Sequence, residues 1–242
     1  MIRNLIISLA VLTSLAIPKS SIAQNTSRQF TTDQAFSTTN ITGTAGNRVH
    51  TIQPGNNYML FRLEFAERGD NPCHLQTYWW RTNPNTGNIQ TRMEEWPYCG
   101  NRGHTNRSRR SIGVPFYYTG PAGSALEIPA SLDVPMYAVY GMRVCDNDRN
   151  PPNRKLKGAR VLGSTVDRDG NGLVQRDASL AATPNVVFSR TNCREWRQAQ
   201  RCDSGQVVVG LDVFSNLLSS QISITGFRLR CAGVTVSGSY ND

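Results

Sequence analysis

Three of the four tryptophans, Trp79, Trp80 and Trp96, fall within 18 residues, with Tyr78 and Tyr98 beside them. An aromatic ring can cover the C–H face of a sugar while polar side chains bond its hydroxyls. Arg81, Asn83, Asn85, Asn88 and Glu94 stand close by in sequence. On a strand over residues 75–81, successive side chains alternate, so Trp79 and Trp80 point to opposite faces. One is expected to pack inside and the other to lie on the surface or under a loop. The competing reading makes all three rings core.

Next comes a basic stretch, residues 101–110, with Arg102, Arg107, Arg109, Arg110 and His104. Guanidinium forks pair with phosphate, sulfate or carboxylate, so this is an anion-binding candidate as well as a solvated loop. Arg-Ser-Arg-Arg at 107–110 also has the pattern of a furin-type cleavage site. If Cys99 bridged across it, nicking after Arg110 would leave two linked chains, as in some exported toxins. No base-reading motif accompanies the arginines, and specific nucleic-acid recognition is not expected.

Asp167, Asp169 and Asn171, followed by Gly172, match the first ligand positions of an EF-hand loop. The acid due at the twelfth position is replaced by Ala178, with Asp177 one place early. A Ca²⁺ site on Asp167, Asp169, Asn171 and Asp177 is one reading, and a plain Asp/Gly/Asn turn the other. No other cofactor is implied. Catalysis has thinner support, because His50, His74 and His104 are the only histidines and no G-x-S-x-G, H-E-x-x-H or P-loop pattern occurs. Glu94 and Glu95 are adjacent, and on a strand adjacent acids point apart. The chain therefore reads as non-catalytic, with a hydrolase of unrecognised site as an alternative.

The elements that must position these residues are strands. Helical periodicity is nearly absent, with short candidates only at 178–182 and 194–200, whereas β-branched and aromatic runs recur at 58–65, 75–81, 114–118, 137–144, 186–188, 206–214 and 222–231. Residues 1–23 read as a signal peptide: Arg3, an apolar run over 5–17 shorter than the about 20 residues of a membrane span, then Ser21-Ile22-Ala23. No later stretch reads as a transmembrane segment. Residues 24–48, rich in Ser and Thr, read as a flexible leader or a peripheral strand, and residues 49–242 as one all-β domain. The formal net charge of +9 falls to +7 without Arg3 and Lys19, which suits an anionic partner or plain solubility. Six cysteines in an exported chain point to disulfides. Their pairing is not decided by the sequence. The sequential one, Cys73–Cys99, Cys145–Cys193 and Cys202–Cys231, is the expectation taken forward.

Residues 138–144 (AVYGMRV) match 207–213 (VVVGLDV), and 156–161 (LKGARV) match 224–229 (ITGFRL). The paired glycines lie 17 residues apart (141 to 158) and 16 apart (210 to 226). A third, weaker unit spans 58–65 and 75–81 with neither glycine retained. Repeated strand pairs must stack on one another to bury a face, and a strand glycine marks a bulge or a close backbone approach. Residues 202–211 (CDSGQVVVGL) with 224–231 (ITGFRLRC), and 137–166 through the internal repeat, resemble a repeat unit of the vitelline membrane outer layer protein I group. That resemblance implies a β-prism with pseudo-threefold repeats and an association with extracellular coats and carbohydrate. The reading that emerges is a disulfide-stabilised, β-prism-like or β-sandwich protein, secreted or periplasmic, binding a glycan or another anionic surface polymer. Its alternatives are a toxin or effector nicked after Arg110, and an extracellular hydrolase.

Overall fold

The computed structural model describes residues 29–68, 71–97, 99, 110–114, 128–129, 136–149, 154–166, 187–218 and 221–237. Every regular element among them is a strand. In chain order they are β1 (Gln29–Thr32), β2 (Ser37–Thr38), β3 (Thr42–Gly43), β4 (Arg48–Ile52), β5 (Met59–Arg68), β6 (Asn71–Thr82), β7 (Asn88–Pro97), β8 (Arg110–Gly113), β9 (Ile128–Pro129), β10 (Met136–Asp146), β11 (Leu156–Val166), β12 (Val187–Ser189), β13 (Glu195–Trp196), β14 (Gln200–Arg201), β15 (Gln206–Leu218) and β16 (Gln221–Ser237).

They form three antiparallel sheets, each centred on one long hairpin. The first has the order β8-β5-β6-β7-β9, the second β12-β11-β10-β13 with β14 also on β10, and the third β1-β16-β15-β4 with β2 and β3 also on β16. The hairpins superpose in register. Leu60, Val139 and Val208 pair with Trp79, Gly163 and Cys231, and one residue later each first strand carries a bulge, at Phe61, Tyr140 and Val209. Further along, each second strand bulges in turn, at Cys73, Lys157 and Thr225. Three equivalent hairpins around one core make a β-prism-like architecture. The weak third repeat is real.

The glycines mark where a flanking strand crosses close. A Cβ at Gly158 would lie 2.8 Å from the Phe188 carbonyl oxygen, and one at Gly226 would lie 2.7 Å from that of Thr42. In the first unit the equivalent residues are Arg62 and His74, and the glycine has moved to the neighbouring strand: Gly113, opposite Arg62, sits against the Phe61 carbonyl. Residues 194–200, a helical candidate by sequence, instead supply β13 and part of β14, pinned to β10. Residues 29–48 supply β1, β2, β3 and the start of β4, and Phe30 is buried. The helical candidate at 178–182 lies outside the described residues.

Side chains from all three sheets meet in the core, where Phe65 packs 5.1 Å from Phe188 and 6.1 Å from Phe227 between ring centroids. Both Trp79 and Trp80 are 0% exposed and Trp96 is 4% exposed. Trp79 faces inward with its indole N–H donating to Thr77 Oγ1 at 2.8 Å. Trp80 points to the other side of β6, yet Phe30 stands edge-on at 5.3 Å and the Tyr137 carbonyl accepts its N–H. Strands from the other two sheets, rather than a loop or solvent, thus cover this ring. No face of Trp79, Trp80 or Trp96 is available to stack on a sugar, and the ligand role expected of them is corrected to core packing. The three disulfides are Cys73–Cys99, Cys145–Cys193 and Cys202–Cys231, the sequential pattern.

Asp212 clamps three strands of the third sheet. Its buried carboxylate accepts from Thr51 Oγ1 at 2.7 Å, Arg228 Nε at 2.8 Å and Arg230 Nε at 2.9 Å. Burial alone would raise this carboxyl, but these hydrogen bonds outweigh it and hold it below the usual aspartate range. A depressed carboxyl contributes stability above its unfolded value, near about pH 4, and that stability is lost as pH falls through the folded value. Asp212→Asn should therefore lower the melting temperature at pH 7 and flatten its fall in acid. Parallel melting curves for the two proteins from pH 7 to 2 would contradict this.

Candidate functional site

Two residues separate β5 from β6 and β15 from β16 in sequence, whereas nine, 147–155, separate β10 from β11. There the second hairpin opens into a polar cleft of about 380 Å³, lined by Asn71, Asn147, Asp148, Arg149, Lys155, Lys157, Asn192 and Arg194.

The frame beneath it is centred on Asp146, the last residue of β10, which is 0% exposed. Its carboxylate accepts from Arg197 Nε at 2.6 Å and Nη2 at 2.9 Å, and from the Asp148 amide at 2.9 Å. That bond holds Asp148 at φ 50°, a left-handed conformation that aspartate tolerates better than most residues. The loop closes through the Asn147 side-chain oxygen, which accepts the Lys155 amide at 2.9 Å. Arg154 Nε donates to the Arg149 carbonyl at 3.0 Å and its Nη1 to Thr44 Oγ1 at 3.3 Å.

A second segment supplies Asn192 and Arg194. The Cys145–Cys193 disulfide ties it to β10. The Arg190 amide donates to the Lys157 carbonyl at 2.8 Å and the Arg194 amide to that of Asp146 at 2.9 Å. Arg190 also forms an ion pair with the buried Glu67 of the first hairpin. The cleft is therefore held by covalent and charge-assisted bonds from two repeats, a preorganised arrangement that lowers the entropy cost of binding.

Four lining side chains are cations, three are amides and one is a carboxylate. Lys157 occupies the second-strand bulge and is 4% exposed. Among the described residues, the one group of three carboxylates suited to a metal is Asp146, Asp148 and Glu195, within 4.8 Å of one another. Arg197 reaches all three, at 2.6, 3.5 and 2.7 Å, so a guanidinium stands where a cation would sit. Hydrogen bonding to Asp146 raises Arg197 against the opposing effect of burial, and the charges of Asp146, Glu195 and Asp148 add to it.

Arg102, Arg107 and Arg109 lie outside the described residues, as do Asp167, Asp169, Asn171 and Asp177. Arg110 begins β8, its backbone paired with Phe65. The Arg110–Ser111 bond thus lies within a laddered strand, and no disulfide spans it, since Cys99 pairs back to Cys73. Two disulfide-linked chains after nicking are excluded. Glu94 pairs with Arg92 at 2.5 Å and Glu95 with His74 at 3.0 Å. Sequence reasoning passed over the cleft residues. It also set aside Trp196, the fourth tryptophan, which is half-buried beneath the Arg143 guanidinium at 4.9 Å.

No family model matches the chain. No curated protein matches it either. Among solved structures the chain is similar to the agglutinin of Calystegia sepium, with 10% identity over 80% of this chain and 97% of that one, at a TM-score of 0.39. It is also similar to AcmJRL, a mannose-binding jacalin-related lectin from Ananas comosus, with 8% identity over 81% and 96% at 0.38. A third is the V. cholerae biofilm matrix protein Bap1, with 8% identity over 88% of this chain and 28% of that one at 0.37. No residue role is carried over from them.

Proposed function

We propose that the protein is an exported, non-catalytic binding protein that recognises a glycan or another anionic surface polymer through the cleft at the end of the second hairpin. The observation that carries this reading is the cleft itself: four cationic and three amide side chains converge on one concavity, on a frame fixed by a disulfide and a buried ion pair. Recognition of an extended polymer needs such a cluster of fixed donors. Export is supported by the three disulfides, which persist in an oxidising compartment. The expected signal peptide, residues 1–23, lies outside the described residues.

The test is binding of the oxidised chain, residues 24–242, to a broad glycan array at low and high salt, with and without EDTA. Binding should weaken in salt, as expected for exposed charges, and Arg149→Ala with Arg194→Ala should abolish most of it while leaving the melting temperature unchanged. Retention that ignores both substitutions would place the ligand elsewhere and refute the reading.

A further inference from the structure

We infer that the outer face of the second sheet is a further binding surface, separate from the cleft, for the oxyanion groups of an acidic polysaccharide. It rests on the proposed function only for the class of ligand. Met142, Val144, Ala159 and Val161 face the core, so Arg143 and Arg160, which lie between them on β10 and β11, face outward as a directly opposed pair. Like charges directly opposed across two strands destabilise a sheet. The other two repeats avoid this. At the position of Arg143 they carry Glu64 and Asp212, opposite Gln76 and Arg228. Glu64 pairs with Arg62 at 3.1 Å and Asp212 with Arg228 at 2.7 Å, so each of those faces neutralises an arginine of its own. The second repeat alone puts an arginine where the others have a carboxylate.

A third arginine joins the pair. Arg201 on β14 lies opposite Gly141, and a Cβ at that glycine would stand 3.2 Å from Arg201 Cγ, so the arginine stem crosses the same face two residues from Arg143. Trp196, opposite Cys145, holds the Arg143 guanidinium over its ring at 4.9 Å. The acids of this sheet, Asp146, Asp148 and Glu195, are all engaged by Arg197. Among the described residues no carboxylate pairs with Arg143, Arg160 or Arg201. Arg160 and Arg201 are exposed and Arg143 is half-buried. Opposed side chains on paired strands stand about 5 Å apart at Cβ, close enough for two guanidinium forks to close on one oxyanion. Arg201 is then placed for the next acidic group of a chain. The one ring beside these arginines, Trp196, is taken up by Arg143, which leaves no platform for stacking nucleic-acid bases. The exposed large apolar side chains, Phe36, Val49, Met93 and Leu217, belong to the other two sheets and their connections, so this face has none of them to insert into a bilayer.

The experiment titrates the oxidised chain with four probes: a sulfated oligosaccharide, a uronate oligosaccharide, single-stranded DNA of matched charge, and vesicles of phosphatidylcholine with phosphatidylserine. Both saccharides should bind. Arg143→Asp, which gives the second repeat the residue of the third, should weaken them tenfold or more, roughly the effect of one charge-assisted hydrogen bond. Its melting temperature should stay the same or rise, because the opposed pair becomes opposite in charge. Arg160→Gln, the pairing of the first repeat, should weaken binding in the same direction and carries the comparison if Arg143→Asp does not fold. Arg143 and Asn147 of the cleft are four residues apart, roughly 13 Å along a strand, so one polymer reaches both places and Arg149→Ala with Arg194→Ala should also lose affinity. Loss in the cleft variant with none in the Arg143 and Arg160 variants would overturn this face and leave the cleft standing. The reverse pattern would uphold this face and refute the cleft. Equal affinity for the DNA or the vesicles would overturn the assignment to polysaccharide, and failure to bind any probe would overturn the face as a binding surface.

Discussion

Trp80→Ala should cost about 3–5 kcal/mol of stability, the range for truncating a large buried aromatic, and lower the melting temperature by roughly 10 °C or more. The indole is 0% exposed, packs edge-on against Phe30 at 5.3 Å and donates to the Tyr137 carbonyl. The ring therefore joins all three sheets at one point: β6 carries it, β1 covers it and β10 accepts its proton. Truncation leaves a cavity between sheets and removes the donor to the part-buried Tyr137 carbonyl. Below its melting transition the variant should match the parent on the glycan array. A variant that melts normally but no longer binds would restore the stacking role for this ring, and calorimetry beside a binding titration decides between the two.

Asp146→Ala should be nearly as damaging, by about 3 kcal/mol, since removing one partner of a buried ion pair leaves the other charge uncompensated. Arg197, its side chain 20% exposed, can recover part of that by turning to water, which places the expectation at the lower end. Binding should fall with stability, because Asp146 also holds the Asp148 amide and so the start of the cleft loop. Asp146→Asn, which keeps the shape and loses the charge, should fall between the two. Denaturant midpoints and binding titrations on the three proteins measure this, and an unchanged midpoint for Asp146→Ala would show that the ion pair contributes nothing net.

Local pattern sufficed for the strands, because alternation and β-branched runs report directly on a half-buried sheet. It sufficed for two of the three repeats, because Gly158 and Gly226 are imposed by a backbone crossing within 3 Å. The first repeat was faint for a physical reason: at Arg62, the counterpart of Gly141 and Gly210, the close approach is accommodated by Gly113 on the neighbouring strand, some 50 residues away. Long-range pairing defeated the rest. Residues 194–200 have no strong period of their own and become strand by docking on β10. Nothing local distinguishes Trp80 from an exposed ring, since its cover comes from β1 and β10.

The cleft had a signal that went unused. Units two and three have almost the same glycine spacing, yet the third spends it on four further ladder pairs, from Ser215–Ile224 to Leu218–Gln221, while the second spends it on Asn-Asp-Arg-Asn-Pro-Pro-Asn-Arg-Lys. Nearly equal spacing with opposite composition sets the second repeat apart from the third.

Gln29 lies across the ladder from Ser237. The two ends of the described chain leave side by side, at the open end of the third hairpin, while the cleft lies among the turns at the other end. With 17 residues in β16 and a rise of about 3.3 Å each, the strand reaches up to roughly 50 Å between those ends. Residues 29 and 237 thus stand together at one end of the prism and the polar cleft at the other, so the third sheet runs the length of the molecule between them.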